Sequence, residues 1–307
     1  MIYYYQAYKI PIKSTVKLSH LISLEGVFEE QYLSVEIGEM PKVFNAPMEV
    51  QNDFSHLSAK YNPNEYYLEI KGVAKYYTLN GNKVIIEPNS DNMDEILTYF
   101  YSNCLAAVLF QRNILPFHVS GVFIDERRVA LFAAPSKTGK STIATKLREL
   151  GYRIFTDDTA ILTIRNQKCY ALASYPVTRL WQSSIVNQMH FEEVGKFKLL
   201  IHEDKFGFNF TEDFSSEAFE VSAVIFLDIE GDNITIQPVN PLLGMQLLYL
   251  NIYRKNWVEG MRKQSLVFRQ LTSLIDKVQL YRATRPKDIP TFDSFAEQIS
   301  KEILKKI

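Results

Sequence analysis

"FAAPSKTGKST", Phe132 to Thr142, decides the fold of this chain. It is one residue away from G-x-x-x-x-G-K-[ST], the loop whose backbone amides cradle phosphate. Ala134 stands where the first glycine belongs, and Ser136, Lys137, Thr138, Gly139, Lys140, Ser141 and Thr142 complete the run. The first glycine serves to start the turn, whereas the residue before the lysine must let the backbone crowd the phosphate. Gly139 keeps that second role. An alanine at negative φ costs little, because its methyl is excluded mainly where φ must be positive, so the loop is intact but modified. Upstream, "RVALFAA" (Arg128 to Ala134) is an apolar run suited to a buried strand. Downstream, "STIATKLREL" (Ser141 to Leu150) puts Ile143, Leu147 and Leu150 on one helical face. Strand, loop and helix follow in the required order, with Lys140 placed to neutralise the β and γ phosphates and Ser141 to hold Mg²⁺. The positive end of the helix adds to that attraction.

Working outward, "GYRIFTDDTA" (Gly151 to Ala160) returns the chain to the same edge. A ten-residue helix runs away from the loop by about 15 Å, Gly151 ends it, and five extended residues come back by roughly 16 Å. Asp157 and Asp158 therefore arrive beside the phosphates, where the carboxyl ends of parallel strands form a ligand crevice. Before the loop, "FHVSGVFIDERRVALFAA" predicts two strands joined by a turn at Asp125 to Arg127. Pairing Ile124 with Val129 brings His118 near Ala134 or Pro135. After it, a hairpin around Arg165 to Lys168 returns Tyr175 and Pro176 toward Asp158, with Arg179 of "YPVTRLW" at the same edge, either as a surface arginine or as the cation that faces transferred phosphate.

The rest of the chain separates into two regions. Residues 1–90 alternate Tyr, Val and Ile with polar residues, and "YYTLNGNKVIIEP" places Asn80-Gly81 between two strand-like runs, a hairpin in a small β-rich domain. Residues 91–307 open with a buried helix over Met93 to Phe110 and continue as alternating strands and helices, an α/β layer. The 307 residues carry 34 Lys+Arg against 35 Asp+Glu, a net charge of -1, which gives no general attraction to nucleic acid or anionic membrane. No run of about 18 apolar residues and no secretory leader pattern is present in "MIYYYQAYKIPIK", so a cytoplasmic protein is expected. Cys104 and Cys169 are the two cysteines, expected as buried thiols, with neither a disulfide framework nor a zinc site. A homo-oligomer is left open.

The four segments "PFHVSGV", "AAPSKTGKST", "YRIFTDD" and "YPVTRLW", in this order, resemble the catalytic domain of the HPr kinase/phosphorylase family. They are more similar to its stand-alone HPr-kinase-like members found with peptide-modifying gene clusters, including kinases of lasso-peptide precursors. The resemblance spans roughly Met93 to the end, and implies a P-loop kinase domain of the HPr kinase carboxyl-terminal type behind the β-rich lead-in. It implies ATP and Mg²⁺ at Lys140 and Ser141, with Asp158 beside the metal. Asp157 becomes the general base for a serine hydroxyl, with His118 and Asp158 as its catalytic neighbours. Thr142 stands where HPr kinases carry an acidic residue, Lys137 replaces a loop glycine, and no Glu-x-Arg-Gly-x-Gly segment occurs. The resemblance with these departures implies one-way transfer to serine in a peptide or small protein other than HPr, without phosphorylase activity. Lys198 and Lys205, with Arg179, would favour an acidic or free carboxyl group near that serine. A small-metabolite kinase and a nucleotide-binding regulatory protein without transfer activity stay open.

Overall fold

The computed structural model describes residues 1–25, 31–42, 44, 49–54, 56–135, 138–181, 197–198, 205–211, 214–287 and 289–307. They form a mixed α/β chain that divides into two compact units. One takes in Met1–Pro116 and Asn256–Val267; the other takes in Phe117–Phe197, Lys205–Lys255 and Phe268–Ile307.

The first unit is built on a nine-stranded sheet. Its strands are β1 (Tyr3–Ala7), β2 (Ile10–Ser14), β3 (Ile22–Ser23), β4 (Leu33–Ile37), β5 (Glu49–Phe54), β6 (Leu57–Tyr61), β7 (Glu65–Ile70), β8 (Ala74–Leu79) and β9 (Lys83–Pro88), in the order β3-β1-β2-β4-β9-β8-β7-β6-β5. The Asn80-Gly81 hairpin forms as its sequence requires: Leu79 pairs with Lys83, and φ is +51° at Asn80 and +67° at Gly81, values that asparagine and glycine tolerate. The helix expected over Met93 to Phe110 is one continuous helical run in three parts, α1 (Met93–Tyr99), a wider π turn (Phe100–Cys104) and α2 (Leu105–Gln111). The sequence puts this run at the head of the second region, but its hydrogen bonds tie it to the first. Tyr76 donates to the Ile96 carbonyl at 2.8 Å, and Arg112 Nε donates to the Gly81 carbonyl at 2.6 Å, pinning the hairpin turn. Trp257 returns to this unit because Tyr61, Tyr66 and Phe110 surround its ring, the nearest centroid 4.7 Å away.

The second unit carries the strands β11 (Val119–Phe123), β12 (Arg128–Ala133), β13 (Ile154–Thr156), β14 (Ala160–Arg165), β15 (Lys168–Ala173), β19 (Ala218–Ile229), β20 (Thr235–Pro238) and β21 (Gln279–Arg285) in one sheet. The two-residue strand β10 is Pro116–Phe117, and β16 (Val177–Trp181), β17 (Phe197–Lys198) and β18 (Lys205–Asn209) form a separate small sheet. β12 and β21 each pair in parallel with β19, so the carboxyl ends of the three strands share an edge. β13 runs in the same direction as β12 but with β11 between them, antiparallel to both. The helix after the loop, α3 (Lys140–Glu149), thus crosses over one intervening strand before the chain returns.

α3 forms where the sequence predicts it because Ile143, Ala144 and Leu147 line the face turned to the core. They pack with Phe132 and Ile225 of the sheet and with Phe295 and Ile299 of the closing helix Phe292–Ile299. Ile143 and Leu147 are fully buried, which contributes about 1.5–3 kcal/mol each. Leu150, expected on the same face, is exposed: it is the residue at which the helix stops. Gly151 makes that stop at φ +94°, with Tyr152 N–H donating back to the Leu147 carbonyl at 3.0 Å. Cys104 and Cys169 are free and buried; burial pushes the Cys169 thiol up to about 12 and Cys104 higher. Among the described residues no helix is long and apolar enough to cross a membrane.

Candidate phosphate-binding site

The loop leaves β12 through Ala134 and enters α3 through Gly139. Ala134 is buried, so its methyl joins the core where the first glycine of the motif would stand. Gly139 has φ +109° and ψ 23°, a conformation costly to any residue with a Cβ. A Cβ there would also fall 2.6 Å from Cε1 of Phe292. The two positions divide as their chemistry predicts: the replaceable glycine is replaced, and the required one is kept. Ser136 and Lys137 lie outside the described residues, while Thr138 and Thr142 flank Gly139, Lys140 and Ser141 in place.

Lys140 is 6% exposed, and its Nζ donates to the Ala134 carbonyl at 2.6 Å. The ammonium is folded onto the loop's own carbonyls, from which a phosphate could draw it by offering full negative charge. Ser141 Oγ donates to Asp157 Oδ1 at 2.9 Å, and Ser120 Oγ donates to the same oxygen. Asp157 is 2% exposed, and these two hydroxyls offset part of the cost of burying its carboxylate. The turn that carries it is fastened by Thr156 Oγ1 donating to the Thr159 carbonyl at 2.8 Å. Asp158 occupies the left-handed region at φ +74°, which aspartate tolerates better than most residues and which sends successive carboxylates in different directions. Its Oδ1 lies 3.7 Å from His118 Nε2.

His118 is held by its backbone N–H, which donates to the Asn251 carbonyl at 2.7 Å, and by Tyr253, whose ring meets the imidazole edge-on with centroids 5.7 Å apart. The β11 to β12 register is one residue from the sequence expectation: Phe123 faces Val129 and Val119 faces Ala133, which sets His118 opposite Ala134. The β14 to β15 hairpin pairs Ala160 with Ala173, which carries Tyr175 back toward Asp158 as expected. Arg179 is in β16, opposite Gly207 of β18, and Lys198 and Lys205 are in β17 and β18; the side chains of all three lie outside the described residues.

His118, Lys140, Ser141, Asp157 and Asp158 therefore come to one edge of the sheet. The two carboxylates differ in company from what the sequence suggests. The hydroxyl expected at the metal is bonded to Asp157, and the carboxylate near the histidine is Asp158. Ser120 is missed by the motifs, although it shares a strand face with His118 at a spacing of two. Ser141 and Asp157 supply the oxygen donors that Mg²⁺ prefers, side by side at the loop, so the residues present fit that ion. Among the described residues no group of three or more His, Cys, Asp or Glu side chains gathers as a metal centre.

No protein-family model matches the chain, and no curated protein matches it. Among solved structures, the HPr(Ser) kinase/phosphatase from Coxiella burnetii is similar to it at 12% identity, over 62% of this chain and 97% of that one, with a TM-score of 0.33. The likeness is distant, and the chemistry of the site rests on this chain's own side chains.

Proposed function

We propose that the chain is an ATP-dependent kinase that transfers the γ-phosphoryl group to the serine hydroxyl of a peptide or small protein. The observation that carries this reading is the Ser141 to Asp157 hydrogen bond at 2.9 Å, beside a buried lysine on a strand-loop-helix turn. Such a turn supplies backbone N–H groups and a helix terminus to phosphate. The adjacent Ser141 hydroxyl and Asp157 carboxylate would hold the nucleotide's Mg²⁺, which would supply positive charge against the phosphates.

In this reading Lys140 leaves the Ala134 carbonyl to meet the β and γ phosphates. Asp157 orients Ser141 on the metal side. Asp158, beside His118, faces the acceptor and takes the serine proton as the serine oxygen bonds to the γ phosphorus. The bond from that phosphorus to the bridging oxygen breaks, and ADP leaves with the electron pair. This assignment exchanges the roles of the two carboxylates relative to the sequence expectation, in which Asp157 is the base. A base suits an alcohol acceptor, because a carboxylate acceptor is already ionised at neutral pH. The absence of a Glu-x-Arg-Gly-x-Gly segment supports transfer in one direction, without phosphorylase activity.

The test is incubation with ATP·Mg²⁺ and serine peptides, followed by mass spectrometry. A phosphopeptide is expected. A phosphorylated metabolite in its place would move the acceptor to a small molecule, and nucleotide binding without any product would leave a regulatory protein. Phosphopeptide consumed by inorganic phosphate to give pyrophosphate would overturn the one-way assignment.

A further inference from the structure

Arg285 is the last residue of β21, which leaves the sheet at the same edge as the loop. Ala133 at the end of β12 is level with Phe226 of β19, and Arg285 is level with Ile229, three residues or about 10 Å farther along. That is the side of the sheet on which the loop stands. The Arg285 guanidinium lies over the Phe292 ring, 4.0 Å from its centroid, and the same ring reaches the space where Gly139 lacks a Cβ. One aromatic ring thus bridges the arginine and the loop glycine.

The chemistry around Arg285 is incomplete. It is 7% exposed, and among the described residues it pairs with no carboxylate; the guanidinium's one hydrogen bond among them is from Nη1 to the neighbouring Pro286 carbonyl at 3.1 Å. A guanidinium has five N–H donors, and burial of its charge without a counter-ion costs stability. Burial pulls its pKa below the ordinary value. Arg282 on the same strand is treated differently, bonded by both Asp228 and Glu230. Among the described residues, carboxylates meet the arginine away from the loop and none meets the one at the loop's edge.

We infer that Arg285 is a second cation of the nucleotide site and donates to a phosphate group of a nucleoside di- or triphosphate seated at Gly139–Thr142. The inference rests on the kinase reading, whose loop it extends. Phe292 orients the guanidinium by holding its face, which leaves the planar edge for the bidentate contact that phosphate favours.

Calorimetry on the full chain with ATP·Mg²⁺, ADP·Mg²⁺ and pyrophosphate, for wild type and Arg285→Met, tests it alongside thermal melting without ligand. Methionine keeps the apolar stem on Phe292 and removes the charge. ATP·Mg²⁺ and ADP·Mg²⁺ affinity is expected to fall roughly tenfold to a hundredfold, with the unliganded Tm unchanged or raised. Unchanged nucleotide affinity would overturn the inference, and a lowered unliganded Tm with that result would make Arg285 a brace for Phe292. A loss confined to pyrophosphate would overturn the nucleotide assignment in favour of free phosphate. Wild-type protein that binds no ATP·Mg²⁺ would refute the kinase reading itself, whereas wild-type binding retained in full by the variant refutes this inference alone.

Discussion

Gly139→Ala should damage the protein through two separable effects. At φ +109° an alanine pays the left-handed backbone penalty of about 1–2 kcal/mol. Its Cβ would lie 2.6 Å from Cε1 and 2.9 Å from Cζ of Phe292. The ring cannot swing away freely, because Arg285 stacks on it at 4.0 Å, so overpacking adds about 1–3 kcal/mol. Loss of glycine's freedom in the unfolded chain offsets about 0.4–1 kcal/mol. The net destabilisation is about 1–4.5 kcal/mol, which for a unit of this size lowers Tm by roughly 2–18 °C. Denaturant unfolding of Gly139→Ala, Phe292→Ala and the double variant separates the contributions. With the ring gone only the backbone penalty remains, so the double variant should be less destabilised than the sum of the single variants by about 1–3 kcal/mol. Additive losses would show that Phe292 does not confine the glycine, and a shift in Tm of under about 1 °C for Gly139→Ala would refute the backbone argument as well.

Lys140→Ala should lower transfer by roughly a hundredfold to a thousandfold, through loss of a fixed cation opposite the transferred phosphate; unchanged turnover in a phosphotransfer assay would end the kinase reading. Asp157→Asn and Asp158→Asn should differ. The first is expected to reduce the gain in ATP affinity on adding Mg²⁺, and the second to keep ATP·Mg²⁺ binding while transfer falls roughly 10²–10⁴-fold. The reverse pattern, seen by calorimetry beside the transfer assay, would return proton abstraction to Asp157. Lys263 is buried against Asn113 Oδ1 at 2.7 Å, and burial holds its ammonium below the ordinary lysine range. The unfolded chain then binds more protons between the folded and unfolded pKa values, so this residue makes stability rise with pH toward the ordinary lysine pKa. Lys263→Met should lack that rise, and parallel Tm against pH curves for the two proteins would count against it.

The sequence by itself determined the elements that depend on neighbours along the chain. The strand, loop and helix from Arg128 to Glu149 follow from an apolar run, a glycine before a lysine and a 3.6-residue stripe. The Asn80-Gly81 hairpin follows from two residues that accept positive φ. Turn lengths also set His118 opposite Ala134 to within one residue, because antiparallel register propagates from the turn. Tertiary structure decided what depends on distant partners. Nothing local in Asp157-Asp158 tells which carboxylate meets Ser141; that depends on the strand crossing and on the φ of +74° at Asp158. The helix Met93 to Gln111 is legible as a helix, but its attachment to the first sheet depends on hydrogen bonds from Tyr76 and Arg112 that no periodicity encodes. Phe292 follows the loop by some 150 residues and lies against Gly139 because β12 and β21 both pair in parallel with β19, which brings the end of β21 to the loop's edge. Local propensities act over a few residues, whereas strand order is chosen by burial summed over a whole sheet, and that choice brings the end of β21 to the edge at which the loop leaves β12.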